Sequence, residues 1–192
     1  MNYHFFAMLF RMKYIDRWQL MRNTIKESLS EHTLETAFIA HALAVIENNR
    51  NEEKIDTEKV VLSALFHDVP EVITGDLPTP VKYYDKEIKN AYDKLEESAI
   101  QKMLTLLPDD MIDTYSDIMH ITDPRIKQFV KAADKISALI KCREELALGN
   151  KEFSVAEKST LESIKALNLP AADMFVKDFL ESFSLPLDIQ SK

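Results

Sequence analysis

Two glycines in 192 residues leave this chain few ways to turn tightly. A multi-stranded sheet needs tight hairpins, and the commonest of them place glycine at positive φ. Long helices need none. Apolar residues recur at three- and four-residue intervals along most of the sequence, the period of an amphipathic helix. The pattern predicts an all-α fold, a single compact bundle over residues 1–192 with roughly seven to nine helices.

A short helix is expected over roughly residues 3 to 13. Ser30 is expected to cap a long helix that runs to about Asn48, with Leu34, Phe38 and Ala42 at intervals of four and Ala37 and Val45 on the same inward stripe. A polar loop, Asn48 to Glu52, comes next. Asp56 or Thr57 caps the next helix, whose apolar run Val60 to Phe66 ends in His67-Asp68. Pro70 forbids simple continuation but suits the first turn of a new short segment. Pro78 and Pro80 stiffen the loop beyond it. A charged amphipathic helix is expected from about Lys86 to Leu107, through Ile88, Tyr92, Leu95, Ala99 and Met103. Pro108 starts a shorter one, ending near His120. Asp123-Pro124 opens a long helix with Ile126, Phe129, Val130, Ala133, Ile136 and Ile140 inward, stopped near Gly149. Two more are expected near 153–167 and 171–182, with a loose tail after Ser184.

The net charge is −8. A chain this acidic has no general attraction for a nucleic acid polymer or an anionic membrane. An anionic substrate must then be met by local positive charge, from a metal or a placed arginine. The apolar start, Tyr3 to Phe10, is short and runs into Arg11-Met12-Lys13, so no signal peptide is expected. No apolar run approaches the roughly 20 residues that span a bilayer. One cysteine, Cys142, cannot form an internal disulfide, and a cytoplasmic location is expected. In Leu139-Ile140-Lys141-Cys142 it reads as packing.

His67-Asp68 places two metal-competent side chains at the end of a buried helix. His32 begins an earlier helix and Asp134 lies inside a later one, beside Ala132-Ala133. Two imidazoles and two carboxylates suit Mn, Fe, Co, Ni or Zn better than Mg or Ca, which prefer oxygen. His41, nine residues after His32, points to the opposite side of a straight helix. His4 and His120 lack ligand spacing. Each candidate also has a plain reading. His-Asp is a dipeptide that arises by chance, Glu71 suits a helix start, Asp76-Leu77-Pro78-Thr79 suits a turn, Arg17 suits a solvated helix end and Trp18 a core or interface anchor.

The order His32, His67-Asp68, Asp134 resembles the H…HD…D motif of the HD-domain superfamily of metal-dependent phosphohydrolases, with core motifs over about 30–140. Arg17-Trp18, Ser30-Glu31-His32-Thr33-Leu34, the long stretch from His67 to Tyr83, and Leu139 to Leu146 after Asp134 narrow it. Together they resemble the bacterial HD-domain 5′-deoxynucleotidases, from about His4 to Phe183. One departure is Val69-Pro70, where small residues such as Ala-Ser are expected.

The resemblance implies a homodimeric enzyme that hydrolyses deoxyribonucleoside 5′-monophosphates to deoxyribonucleoside and phosphate. A divalent cation (Co²⁺, Mn²⁺, Zn²⁺ or similar) would lower the pKa of the attacking water. It assigns the ion to His32, His67, Asp68 and Asp134, with Asp68 and Asp134 also near substrate. Glu71 is the general acid/base and Arg17 orients the phosphate as a two-pronged donor. Trp18 stands against the sugar, where a rigid indole would collide with a 2′-hydroxyl. Asp76 accepts from the 3′-hydroxyl, and Leu77, Pro78 and Thr79 form a stiff wall. Lys82 offers further positive charge but is assigned no role. Three alternatives stay open: another HD-type phosphohydrolase acting on triphosphates or signalling nucleotides, a helical nucleotide-binding module without turnover, or a purely structural helical protein. Beyond Arg17, Arg22 and Lys82 the motifs carry no basic cluster, which favours a monophosphate.

Overall fold

The computed structural model describes residues 2–51, 53–82 and 84–191. Glu52, in the expected polar loop, and Tyr83, at the end of the long motif, lie outside the described residues. Helices run over Phe5–Leu9 (α1), Leu29–Arg50 (α2), Thr57–Phe66 (α3), Glu71–Thr74 (α4), Thr79–Lys82 (α5), Lys86–Leu104 (α6), Asp109–Met119 (α7), Pro124–Ala147 (α8), Ser154–Lys165 (α9), Pro170–Phe179 (α10) and Leu187–Gln190 (α11). The one β feature among the described residues is an isolated antiparallel bridge, Asp16 to Ser28. The expected all-α class holds. Two segments expected to be irregular are partly helical: the loop after Gly75 contains α5, and the tail after Ser184 contains α11.

Short polar side chains start the long helices by accepting from exposed backbone N–H groups. Asp56 caps α3, Asp85 caps α6 and Asp123 caps α8. The cap of α2 is Ser28, not Ser30. Ser28 accepts from the Glu31 N–H, and Glu31 Oε2 accepts from the Ser28 N–H at 2.7 Å. This reciprocal capping box satisfies two orphan donors, which Ser30 has no partner to do. Gly149, at φ 84°, stops α8 in a left-handed turn that most side chains resist.

The main core lies where α2 packs between α3 and α8, closed by α9 and α10. To this core α2 contributes Ala37, Ala40, Leu43 and Ala44, α3 Ala64, and α8 Ala132, Ala133 and Ile136. Small side chains let the backbones approach closely. The expected inward stripe of α2 is therefore corrected: Ala37 is buried, but Phe38 is 67% exposed, and Leu34 and Val45 also face outward. On α6, Tyr92, Ala99 and Met103 are buried while Leu95 is exposed. A second core joins Phe5, Val69, Ile100, Met103 and Met119. It seats the segment beyond α3.

Residues 15–28, which carry Arg17 and Trp18, contain no helix and are tied down at their far end by α8. Buried Glu145 accepts from Lys141 Nζ at 2.6 Å, from the Thr24 and Ile25 N–H groups at 2.9 and 3.1 Å, and from Asn150 at 2.7 Å. Lys141 also donates to the Ile25 carbonyl. Burial pushes the Glu145 carboxyl up, but these donors hold it well below the usual carboxylate range. The native state thus favours the carboxylate, so its stabilisation is present at neutral pH and is lost as pH falls below about 4. Glu145→Ala leaves the buried Lys141 ammonium without its counter-charge and should cost on the order of 3 kcal/mol in chemical denaturation. Stability of the variant should also fall less steeply on acidification than that of the wild type.

Candidate active site

The two histidines are aimed by their own hydrogen bonds. His67, the last turn of α3, sets Nδ1 2.7 Å from the Ala64 carbonyl. A carbonyl only accepts, so Nδ1 carries the proton and, in the neutral ring, Nε2 presents its lone pair. His32, fully buried in the first turns of α2, has Nδ1 3.0 Å from Ser137 Oγ on α8. Its Nε2 faces the same space as that of His67.

Three ligand atoms converge there, with an Asp134 oxygen against one of them. Asp68 Oδ2 lies 3.1 Å from His67 Nε2 and 3.4 Å from His32 Nε2. Asp134 Oδ1 lies 3.3 Å from His32 Nε2. His32, His67 and Asp68 form the tightest group. Atoms that bind one ion at about 2.0–2.2 Å stand about 3–3.5 Å from one another, the spacing present here. His67 Nε2 is buried and has no hydrogen-bond partner of acceptable geometry. Burial disfavours charge on His67, yet Asp68 and Asp134 outweigh it and push its pKa up to about 9. The same two acids are held below the usual range against their burial, Asp68 chiefly by His67 and Asp134 by His32. This negative field is what a divalent cation would neutralise. The donor set of His32, His67 and Asp68 fits such an ion, and Asp134 stands beside His32.

Around this cluster the sequence candidates fall into two sets. Pro70 opens α4, and Glu71 is the first residue of that helix, its N–H bonded to the Asp68 carbonyl at 3.0 Å. Glu71 is buried, and its Oε2 has no partner. Burial, then Asp68 and Asp76, push its carboxyl up to about 10. Asp76 comes directly after Gly75, whose φ of 73° turns the chain out of α4. Its carboxyl is raised by burial and feels Arg17, Asp68 and His32. Arg17 lies in the field of Glu27, Asp134, Asp68 and Asp76, which together outweigh its desolvation and raise its pKa. These groups share one electrostatic neighbourhood. Trp18 adjoins it, with Arg17 5.9 Å from its ring centre. Leu77 and Pro78 are half-buried beyond Asp76, while Thr79 is exposed at the start of α5. Lys82 is occupied by Glu96 at 2.8 Å. His41 is exposed, and Cys142 is buried as expected.

Two participants escaped the sequence reading. Ser137 lies one turn after Asp134 on α8, a spacing that marks a shared face. Glu27 contacts Arg17 and Trp18 across a loop, and no periodicity signals it.

This helical arrangement is that of the HD-domain phosphohydrolases. One from Listeria innocua aligns with a TM-score of 0.81 over 98% of this chain and 92% of its own, at 22% identity. The HD phosphohydrolase of cyanophage S-2L, solved with dA and one catalytic Zn²⁺, aligns with a TM-score of 0.66 over 92% of this chain and 95% of its own, at 16% identity. The family model described as 5′-deoxynucleotidase YfbR-like matches residues 4–183, and the chain belongs to that family. A 5′-deoxynucleotidase of Vibrio vulnificus is 46% identical over 187 residues, 96% of each chain. One of Pectobacterium atrosepticum is 44% identical over 96% of this chain and 94% of its own.

A ligand that binds only the folded chain stabilises it by about 2.7 kcal/mol at a hundredfold excess over Kd. Adding Co²⁺, Mn²⁺ or Zn²⁺ to chelator-treated protein should therefore raise the melting midpoint by on the order of 5 °C. His67→Ala should abolish the shift.

Proposed function

We propose that this chain is a metal-dependent 5′-deoxynucleotidase that hydrolyses deoxyribonucleoside 5′-monophosphates to deoxyribonucleoside and phosphate. The observation that carries the reading is the convergence of His67, Asp68 and Asp134 on buried His32, beside Glu71 and Arg17. Family membership and the relatives' activity support it.

A bound divalent ion supplies a more acidic water and draws charge from a phosphoryl oxygen. The chain's residues do the rest. Arg17 orients the phosphate: its Nη1 is bound to Glu27 and its buried Nε has no partner. Glu71, with an unpartnered oxygen in the same field, moves the proton between water and the leaving 5′-oxygen. Trp18 excludes a 2′-hydroxyl by its bulk. Asp76 accepts from the 3′-hydroxyl, with Leu77, Pro78 and Thr79 walling the sugar side. The cations near the motifs favour a monophosphate over a triphosphate. Arg22 is engaged by Glu152 and Lys82 by Glu96, which leaves Arg17 to serve one phosphate.

One HD domain over residues 1–192 carries this site, in a cytoplasmic homodimer. No helix among the described residues is long and apolar enough to cross a membrane. The outward row Leu34, Phe38 and Val45 on α2 supports a subunit contact. Phe38→Glu should shift the chain toward monomer in light scattering, with an unchanged mass counting against this face.

Phosphate release from deoxyribo- and ribonucleoside mono- and triphosphates, with cations restored after chelation, tests the activity. The deoxyribonucleoside 5′-monophosphates should be the preferred substrates. Glu71→Ala should lower kcat by about 10²–10⁴ while metal still binds. Release from none of the nucleotides would overturn the reading, and equal rates on both sugars would remove the role given to Trp18.

A further inference from the structure

Glu27 stands outside every motif that points to the site, yet it is 7% exposed and holds two of the site's side chains at once. Its Oε2 accepts from Trp18 Nε1 at 2.7 Å and from Arg17 Nη1 at 3.1 Å. The backbone reinforces the contact. The Arg17 N–H donates to the Glu27 carbonyl at 2.9 Å, and the Leu29 N–H donates to the Ile15 carbonyl at 2.8 Å. With the Asp16–Ser28 bridge, these bonds clasp both ends of the loop together at the start of α2.

Trp18 needs such a hold. Its φ is 58°, in the left-handed region that a bulky aromatic side chain resists. A conformation of this kind persists only where the surroundings over-determine it. Here the Trp18 carbonyl accepts from the Met21 N–H at 2.9 Å and from Asn23 at 3.1 Å. The indole packs on buried Phe153, with ring centres 5.4 Å apart. Glu27 supplies the polar contact that fixes the indole edge. The same oxygen draws one prong of the Arg17 guanidinium, so the two side chains cannot be re-aimed independently.

We propose that Glu27 is a positioning residue that couples phosphate orientation by Arg17 to sugar discrimination by Trp18 through one shared carboxylate oxygen. The proposal rests on the deoxynucleotidase reading for what Arg17 and Trp18 do. That Glu27 orients them has a separate readout: Trp18 is the only tryptophan, so intrinsic fluorescence reports its setting alone.

The test compares Glu27→Ala and Glu27→Gln with the wild-type, metal-loaded protein. Glutamine keeps an oxygen for the indole N–H but loses the charge that holds Arg17. Glu27→Gln should keep the emission maximum and the deoxyribo-to-ribo ratio of kcat/KM, and should lose on the order of tenfold in kcat/KM, the worth of about 1.4 kcal/mol. Glu27→Ala should also displace the emission maximum and lower the sugar ratio by on the order of tenfold, a similar 1.4 kcal/mol. Wild-type emission and sugar ratio in Glu27→Ala would overturn the proposal. If Glu27→Ala does not fold by circular dichroism, Glu27→Gln decides, and unaltered kcat and KM there overturn it. A wild type that makes no distinction between sugars would refute the role of Trp18 rather than that of Glu27. The emission maximum and the KM for the deoxyribonucleotide would then decide whether Glu27 orients the pair.

Discussion

The approach of two helices to α2, over alanines, is the constraint on which the rest depends. Ala37, Ala40 and Ala44 on α2 meet Ala64 on α3 and Ala132 and Ala133 on α8 within one buried core. Larger side chains at these positions would separate the backbones and open the distances between His32, His67-Asp68 and Asp134, which now lie between 3.1 and 3.4 Å. Packing therefore does more here than stabilise the fold. It compresses two carboxylates and two imidazoles into a space where their charges are not separately comfortable. A bound divalent cation would resolve that conflict.

The cluster is aimed from behind. Ser137 and the Ala64 carbonyl hold the rear nitrogens of His32 and His67, so that both Nε2 atoms face forward. α8 carries Asp134 and Ser137 toward the cluster, and two turns on it carries Lys141 and Glu145, which anchor Thr24 and Ile25. One rigid helix thus fixes the acid at the centre and the far end of the Arg17-Trp18 segment. Glu27 fixes the near end. Glu71 and Asp76 arrive by a different route, Glu71 on the short α4 that Pro70 begins and Asp76 just beyond the Gly75 that ends it.

Much of this was legible in the sequence. Scarce glycine and helical periodicity gave the all-α class, and the order His32, His67-Asp68, Asp134 gave the cluster. What escaped did so for physical reasons. The recurrence of Leu34, Phe38 and Ala42 at intervals of four marks a stripe about one residue off the true inward face of α2. In the fold, the buried face of α2 carries His32, Thr36, Ala37, Ala40, Leu43 and Ala44, with Ile39 and Ile46 beside them, and Leu34 and Phe38 point outward. Ser28 was overlooked as the cap of α2, although Glu31 three residues later completes its capping box. Glu27 was hidden because it meets Arg17 and Trp18 across a loop with no period. Such a contact depends on where the chain returns, not on local pattern.

The central claim is that these four side chains share one divalent cation. X-ray absorption at the metal edge of protein loaded with one equivalent of Co²⁺ or Zn²⁺ tests it most directly. The expected first shell is two imidazole nitrogens completed by oxygen, with one imidazole lost in His67→Ala. An oxygen-only shell, or a shell that His67→Ala leaves unchanged, would contradict it.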